Sequence, residues 1–262
     1  MSTTSTVLDS GIRELARNRW MLAYATGFFV LTESLFWFQG TGPQVLLSLL
    51  NVLLLVIPLV SLVFGAMYIY SSREFIELLL AQPIARRDLF LGHFMGLALP
   101  LAGAFAVGAG LPFALHAGAG AGFGGVAVLL SAGIGLSVAC AAIAVAIALY
   151  SDDRLRGVGM AIGAWLLLTV LYDAGLLAIA VSFDAWPLEK PMIALMMANP
   201  VDIARGLVLT QLDAPAMMGY TGALFRRSFG SALGTVIAAT ALAIWIAAPF
   251  AIAGRRFRRR DF

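Results

Sequence analysis

Six apolar runs of helical length recur along the chain, near 21–38, 45–70, 91–115, 123–149, 158–182 and 231–253. A helix crosses a hydrocarbon core in about 20 residues, so each run can span a membrane. The pattern leaves little choice of solvent. The chain is 61% hydrophobic and 12% charged over 262 residues, and a water-soluble fold has no interior large enough to hide that much apolar side chain. The expected fold class is an all-α integral membrane protein with six transmembrane helices. The second and fourth runs are long enough to tilt or to extend beyond the lipid. Pro58 and Pro100 fall inside spans and predict local kinks, which membrane helices tolerate when neighbours satisfy the freed carbonyls.

Basic residues set the orientation. Arg13, Arg17 and Arg19 precede the first run, and Arg73, Arg86 and Arg87 lie in the 71–90 connection. Arg154 and Arg156 follow the fourth run, and Arg255, Arg256, Arg258, Arg259 and Arg260 end the chain. Thirteen basic residues thus fall on one side, against four on the other: Lys190, Arg205, Arg226 and Arg227. The two short opposite connections, 39–44 and 116–122, carry none. The split predicts both termini inside (N-in, C-in) and the 183–230 segment outside. The net charge of +3 does not point to nucleic acid, because the basic residues sit between apolar spans rather than on one soluble face. No cleavable signal is expected, since the first 20 residues are polar and charged. The lone Cys140 cannot form a disulfide within the chain.

Three segments outside the spans have a pattern of their own. In the 1–20 lead-in, Ile12, Leu15, Ala16 and Trp20 recur at helical spacing apart from the arginines, which predicts an amphipathic interfacial helix. In the external segment, Asn199-Pro200-Val201-Asp202 reads as a helix start with a cap, a proline at the first position and an acid in the first turn. Val201, Ala204, Leu207 and Val208 then mark one apolar face, and Asp213-Ala214-Pro215 restarts the chain as a second short helix. Both helices are expected at the outer interface, and packing on the outer ends of the bundle is compatible with that. In the 71–90 connection, Glu74 and Glu77 share a helical face beside Arg73, and Leu78, Leu79 and Leu80 follow. Gln82-Pro83 ends that piece, and Arg86 and Arg87 restart a helix at the membrane. A short helix carrying acids and leucines outside the bilayer suits docking of a soluble partner.

The 71–90 stretch resembles the segment between the second and third spans of ABC-2 type exporter permeases. That family's segment has a glutamate-rich turn, a Leu-Leu pair, a Pro-[Val/Ile]-x-Arg element and a Leu-x-Gly-Lys ending. Glu74, Glu77, Leu78, Leu79, Pro83, Arg86 and Gly92 match, while His93 stands where lysine is usual. The resemblance implies that this segment is the coupling helix seated on an ATPase subunit, with Arg73, Gln82 and Arg87 in the same element. A narrower resemblance covers Asn199–Arg205 through Met217–Ala223. It is similar to permease subunits of the transporters that mature nitrous oxide reductase, also called copper-processing systems. That resemblance implies a permease homodimer in the bacterial inner membrane, working with two ABC ATPase subunits and a periplasmic accessory protein. It further implies support for assembly of the reductase's copper–sulfide centre, with Asn199, Asp202, Arg205, Met217, Met218 and Tyr220 docking the accessory protein. ATP and Mg would be bound by the ATPase chain, with no cofactor on this one. An ABC-2 exporter of another substrate and a secondary transporter are the alternatives.

Other functions lack their residues. A phosphate loop needs Gly-x4-Gly-Lys-[Ser/Thr], and Lys190, the only lysine, has no such context. The two histidines, His93 and His116, stand apart from each other and form no zinc-protease motif. No Gly-x-Ser-x-Gly elbow occurs, and no inverted repeat points to a secondary transporter. Two acids lie within spans. Counting about 1.5 Å per residue, Glu33 is ~20 Å up the first span and Asp173 ~22 Å up the fifth. An ionised acid facing lipid there costs about 2–3 kcal/mol, so each should face protein or water. In the resembled family these spans line the interface between two copies, which makes Glu33 and Asp173 candidate gate residues of a shared outer cleft. Interfacial snorkelling, or local bonding to Tyr172 or Gln39, is the plainer reading. The external Met192, Met196, Met197, Met217 and Met218 could serve Cu(I) as soft ligands or fill an adaptable interface, and the second use is the expected one. Gly92/Gly96, Gly159/Gly163 and Gly230/Gly234 have the spacing that lets helices approach closely.

Overall fold

The computed structural model describes residues 19–80, 85–183, 189–211 and 232–259. Every regular element among them is helical. Six helices are long and apolar enough to cross a membrane: α1 (Arg19–Gln39), α2 (Gly42–Ser71), α4 (Arg86–Leu115), α5 (Phe123–Tyr150), α6 (Arg154–Ser182) and α9 (Ala232–Arg259). Three short helices complete the set: α3 (Arg73–Leu80) between α2 and α4, then α7 (Glu189–Met197) and α8 (Pro200–Gln211) between α6 and α9. The expected lead-in helix lies almost wholly outside the described residues, as do Gln82, Pro83 and the second external helix from Asp213.

The six expected runs and the six long helices coincide, but the helices run further at the basic end. α4 begins at Arg86 and α9 continues to Arg259, so arginines lengthen these two spans past their apolar cores. Such side chains keep their charge in the headgroup layer while their stems lie along the helix. The helices continue through Pro58, Pro100, Pro112 and Pro249. α1 and α2 are joined at Gly40, whose φ of +68° is a left-handed conformation open chiefly to glycine.

α2 and α5 form the centre. Leu46, Leu49, Leu50, Leu53 and Ile57 of α2 are buried, as is the small-residue run Ala139–Ala142 of α5 with Ala144 and Ala148. Small side chains let helix backbones approach, which matters where lipid removes any hydrophobic drive to associate. Gly133 shows how close the fit is, because a Cβ there would overlap the Phe105 ring. α4, α8 and α9 also pack on α5, while α1 leans on α4 and α6 on α2. At least half of the most apolar stretch of α2, α4 and α5 is buried, but only about a fifth of that of α1, α6 and α9. The first, fifth and sixth spans therefore carry most of the surface available to lipid or to another chain.

The α7–α8 pair departs from expectation. α8 was expected at the outer interface, yet Val201, Ile203, Ala204, Leu207 and Val208 are all buried, and the helix packs on α5 and α9. The two helices meet at 109°. At their junction the Met197 carbonyl accepts from the Trp245 indole N–H at 3.3 Å, and the Asn199 amide donates to the Leu168 carbonyl at 2.8 Å. Leu168 is midway along α6 and Trp245 near the middle of α9. The junction thus reaches the middle of the bundle, as in a broken span or a re-entrant loop.

Candidate functional site

At the basic end, α3 divides its residues between the bundle and the outside. Ile76 is 1% exposed, while Phe75 and Leu78 are 49% and 69% exposed. Glu74 and Glu77 are exposed as well. Glu74, Phe75, Glu77 and Leu78 thus make one acidic and apolar face directed away from the protein, with Leu79 half-buried behind it. Phe75 escaped the sequence reading, although it lies between the two acids on the same short helix. A leucine and a phenylalanine displayed beside two carboxylates leave an apolar patch with a charged rim open to another molecule.

Arg73 was grouped with these docking residues, and its side chain turns the other way. Nη1 donates to the Asp152 carbonyl at 2.8 Å, and Nη2 to the carbonyls of Ser151 at 2.7 Å and Ala148 at 3.1 Å. The guanidinium also lies 4.4 Å from the Tyr70 ring centre. The physical reason is the end of α5. Its last carbonyls have no partner within the helix, and a cation placed there satisfies them and opposes the helix dipole. Tyr70 adds a bond from its hydroxyl to the Ser151 carbonyl at 3.1 Å, with its ring over Gly157, where a Cβ would clash. The start of α6 is fixed by Asp153, whose carboxylate accepts from the Leu155 N–H at 2.9 Å. Arg86, at the start of α4, donates to the Arg258 carbonyl of α9 at 3.2 Å, while Arg87 is exposed. The root of α3 is therefore tied to the α5–α6 turn, and the start of α4 to α9. Gln82 and Pro83 lie outside the described residues.

A second constellation is buried where α8 meets α6. The Asn199 Oδ1 accepts from the Val201 N–H at 3.0 Å, the capping bond read from sequence. Its Nδ2 donates both to the Leu168 carbonyl and to Asp202 Oδ2, the latter at 3.1 Å. Arg205 Nη1 donates to Asp202 Oδ1 at 2.9 Å and to Asp173 Oδ1 at 3.1 Å, and Nη2 to Asp173 Oδ2 at 2.7 Å. Asp202 is 1% exposed. Four side chains and one carbonyl thus form a continuous chain between two elements, in which each buried charge has an opposite charge and hydrogen bonds. Beside it, the Tyr172 hydroxyl donates to the Leu195 carbonyl of α7. Asn199, Asp202 and Arg205 were expected to face an outside partner. Here Asn199 and Asp202 are internal, and Arg205 is largely so. Met217, Met218 and Tyr220 lie outside the described residues. Met192 and Met196 are fully packed in the apolar core.

Glu33 and Asp173 have separate partners within one chain. Asp173 bonds Arg205, not Tyr172. Glu33 Oε1 lies 3.6 Å from His116 Nε2, and Gln39 instead donates to the Ser48 hydroxyl at 2.7 Å. The His116 imidazole is stacked on Phe36 at 4.5 Å and 10°, with Nδ1 3.1 Å from the Pro112 carbonyl. An imidazole at the end of one span thus meets a carboxylate of another. Two histidines far apart in sequence gave no sign of that pairing.

Six apolar helices, a short helix displayed at the basic end and a bent helical pair before the last span describe a multi-pass membrane protein. The model of the ABC-2 family transporter proteins matches residues 3–262, and the chain belongs to that family. Two relatives extend the match over essentially full length. Each is described as a probable ABC transporter permease protein NosY. The one from Pseudomonas aeruginosa is 31% identical, over 99% of this chain and 99% of its own. The one from Stutzerimonas stutzeri is 27% identical, over 93% and 94%.

Proposed function

We propose that this chain is the membrane subunit of an ATP-driven transporter of the bacterial inner membrane. It works as a homodimer with two ABC ATPase subunits that bind the ATP and Mg. Both termini and α3 lie in the cytoplasm, and the α6–α9 connection faces the periplasm, as the distribution of arginine favours. The observation that carries the reading is the split face of α3. Glu74, Phe75, Glu77 and Leu78 are exposed for a partner, while Arg73 and Ile76 tie the helix to the bundle. A helix displayed and anchored in this way passes a push from a soluble subunit to α5 and α6. The sparsely buried first and fifth spans are the surface offered to the second copy. Gly159 and Gly163 of α6, four residues apart and open to the outside, permit close approach there.

The full-length likeness to permeases named NosY supports the finer reading that the transporter serves maturation of the copper–sulfide centre of nitrous oxide reductase. It would do so by export or by mechanical action on a periplasmic accessory protein. Glu33 and Asp173 would then lie on the walls of the cleft between two copies. Co-expression with the candidate ATPase tests the assembly. Glu77→Arg should leave insertion intact and abolish co-purification or nucleotide-driven activity. Undiminished ATPase recovery and activity in that variant would refute the docking role. Deletion of the chain from a denitrifying host should leave the reductase without its copper–sulfide centre, seen by its visible spectrum.

A further inference from the structure

Span α6 carries a single π-turn, Leu167–Leu171, at which the Tyr172 N–H reaches back to the Leu167 carbonyl. The wider turn loosens the regular ladder, and such turns mark functional sites often enough to warrant a cause. The cause is adjacent. The Leu168 carbonyl, inside the turn, accepts from Asn199 at 2.8 Å. Asp173, just beyond it, is held by both terminal nitrogens of Arg205. Both contacts come from α8 and its cap, one inside the joint and one just beyond it.

We propose that this π-turn is a two-state joint in the fifth span, worked by the α7–α8 pair. With the pair engaged, Asn199 holds the Leu168 carbonyl open and Arg205 holds Asp173. When the pair withdraws, the turn closes to regular α-helix. The segment from Tyr172 to Ser182 then rotates by about 100°, the angular step of one residue. The open form cannot persist alone, because a carbonyl without a donor is costly at this depth. The closed form is accessible for an electrostatic reason. In the engaged state two carboxylates share one guanidinium, and both touch its Nη1. In the released state Arg205 keeps Asp202 as a one-to-one pair, and Asp173, the second carboxylate and already 37% exposed, leaves for water in the cleft. The bonds lost are thus offset in part by repulsion relieved, which brings the two states close enough for a partner to choose between them. The direction of use rests on the transporter reading above, in which α3 moves the α5–α6 turn at one end of this span and a periplasmic partner contacts the other.

Nitroxide scanning of residues 172–182, in a Cys140→Ala background, tests the joint through the periodicity of oxygen accessibility. Leu176 is now buried, and Leu177 and Val181 are exposed. In the permease alone, Asn199→Leu should shift the phase of that pattern by about 100° relative to residues 155–165. Asn199→Ala serves if the larger side chain is not accommodated. Unchanged phase in both would overturn the proposal. Deleting Val170 makes the span regular without turning its outer half, so the deletion combined with Asn199→Leu should show no shift. A shift that persists in this double variant would equally overturn it. In the complex with the ATPase, a non-hydrolysable nucleotide should produce the same shift. A shift with Asn199→Leu and none with nucleotide supports the joint and counts against the ATPase coupling, so the two failures are distinguishable.

Discussion

Helices α3 and α8 look alike on paper and lie in opposite surroundings. Each is short, follows or precedes a proline break, and carries charged residues three apart: Glu74 and Glu77 in one, Asp202 and Arg205 in the other. In α3 the pair has like sign, and both members are exposed. In α8 the pair has opposite sign, and it is drawn inside with Asn199 and Asp173. The lesson concerns sign more than periodicity. Two carboxylates on one face cannot enter a low-dielectric bundle without a cation, whereas an acid with its own arginine one turn away can.

The comparison breaks most visibly at Arg205. Replacing it with leucine strands Asp202 at 1% exposure, and breaking a buried pair in this way costs about 3–5 kcal/mol. Cys140, fully buried and the only cysteine, makes a reporter. Its reaction with a fluorogenic maleimide should begin at a much lower temperature in Arg205→Leu than in the parent protein. Combining Arg205→Leu with Asp202→Leu should recover much of the loss, because the fully buried carboxylate is then gone and only Asp173, 37% exposed, is left without its cation. No recovery would mean that packing, and not charge, holds α8 in place.

Arg73 comes next, as the charged residue of α3 that turns toward the bundle like those of α8. Arg73→Met removes a donor from three carbonyls. A hydrogen bond to a charged group contributes about 1.5–3 kcal/mol, and partial exposure keeps the total near the lower figure. A moderate loss in the Cys140 assay is expected, with ATPase binding weakened only as far as α3 loosens. A variant with parent stability would show that α3 is held by Ile76 and its apolar contacts instead.

Leu78→Ser should have the opposite profile. At 69% exposure the side chain adds little to the fold, and surface changes of this kind stay within about 0.5 kcal/mol. Binding of the ATPase should fall by at least about tenfold, as for loss of an apolar anchor at an interface. Parent-like ATPase binding would move the docking surface elsewhere.

How much of this was legible follows from the same contrast. The six spans were, because a run of about 20 apolar residues has few other uses. The start of α8 was too, since the Asn199 cap is a local bond. Its depth was not. The stripe Val201, Ala204, Leu207 and Val208 suits an interface and a bundle interior equally, and the deciding bonds go to Leu168 and Asp173, over thirty positions away. α7 was missed because Glu189-Lys190-Pro191 looks like a loop and the rest is barely two turns. The π-turn has no local signature, and it exists because of what Asn199 supplies. Arg73 was assigned to the wrong surface, since sequence shows a charge beside two acids but not the open carbonyls behind it.

The smallest expected effect concerns the two acids that the residue count puts at similar depth in the first and fifth spans. Within one chain each has its own counter-group: His116 for Glu33 at 3.6 Å, Arg205 for Asp173 at 2.7 Å. Glu33→Gln should change stability by no more than about 1 kcal/mol, since the pair is about one-third exposed and long for a salt bridge. Asp173→Asn should cost somewhat more, because it weakens two bonds from a guanidinium. If the acids act through separate partners, the double variant should equal the sum within about 0.5 kcal/mol. The measurement is a four-member cycle in the Cys140 assay, run on the permease alone and again on the complex with ATPase. Additivity is expected in the permease at neutral pH. A departure larger than that margin points to a second copy that brings one chain's Glu33 near the other's Asp173, because no contact among the described residues links them. The cycle therefore reads the geometry of the dimer through two side chains, and a departure present only with nucleotide bound would show that the cleft between the copies changes width during the ATPase cycle.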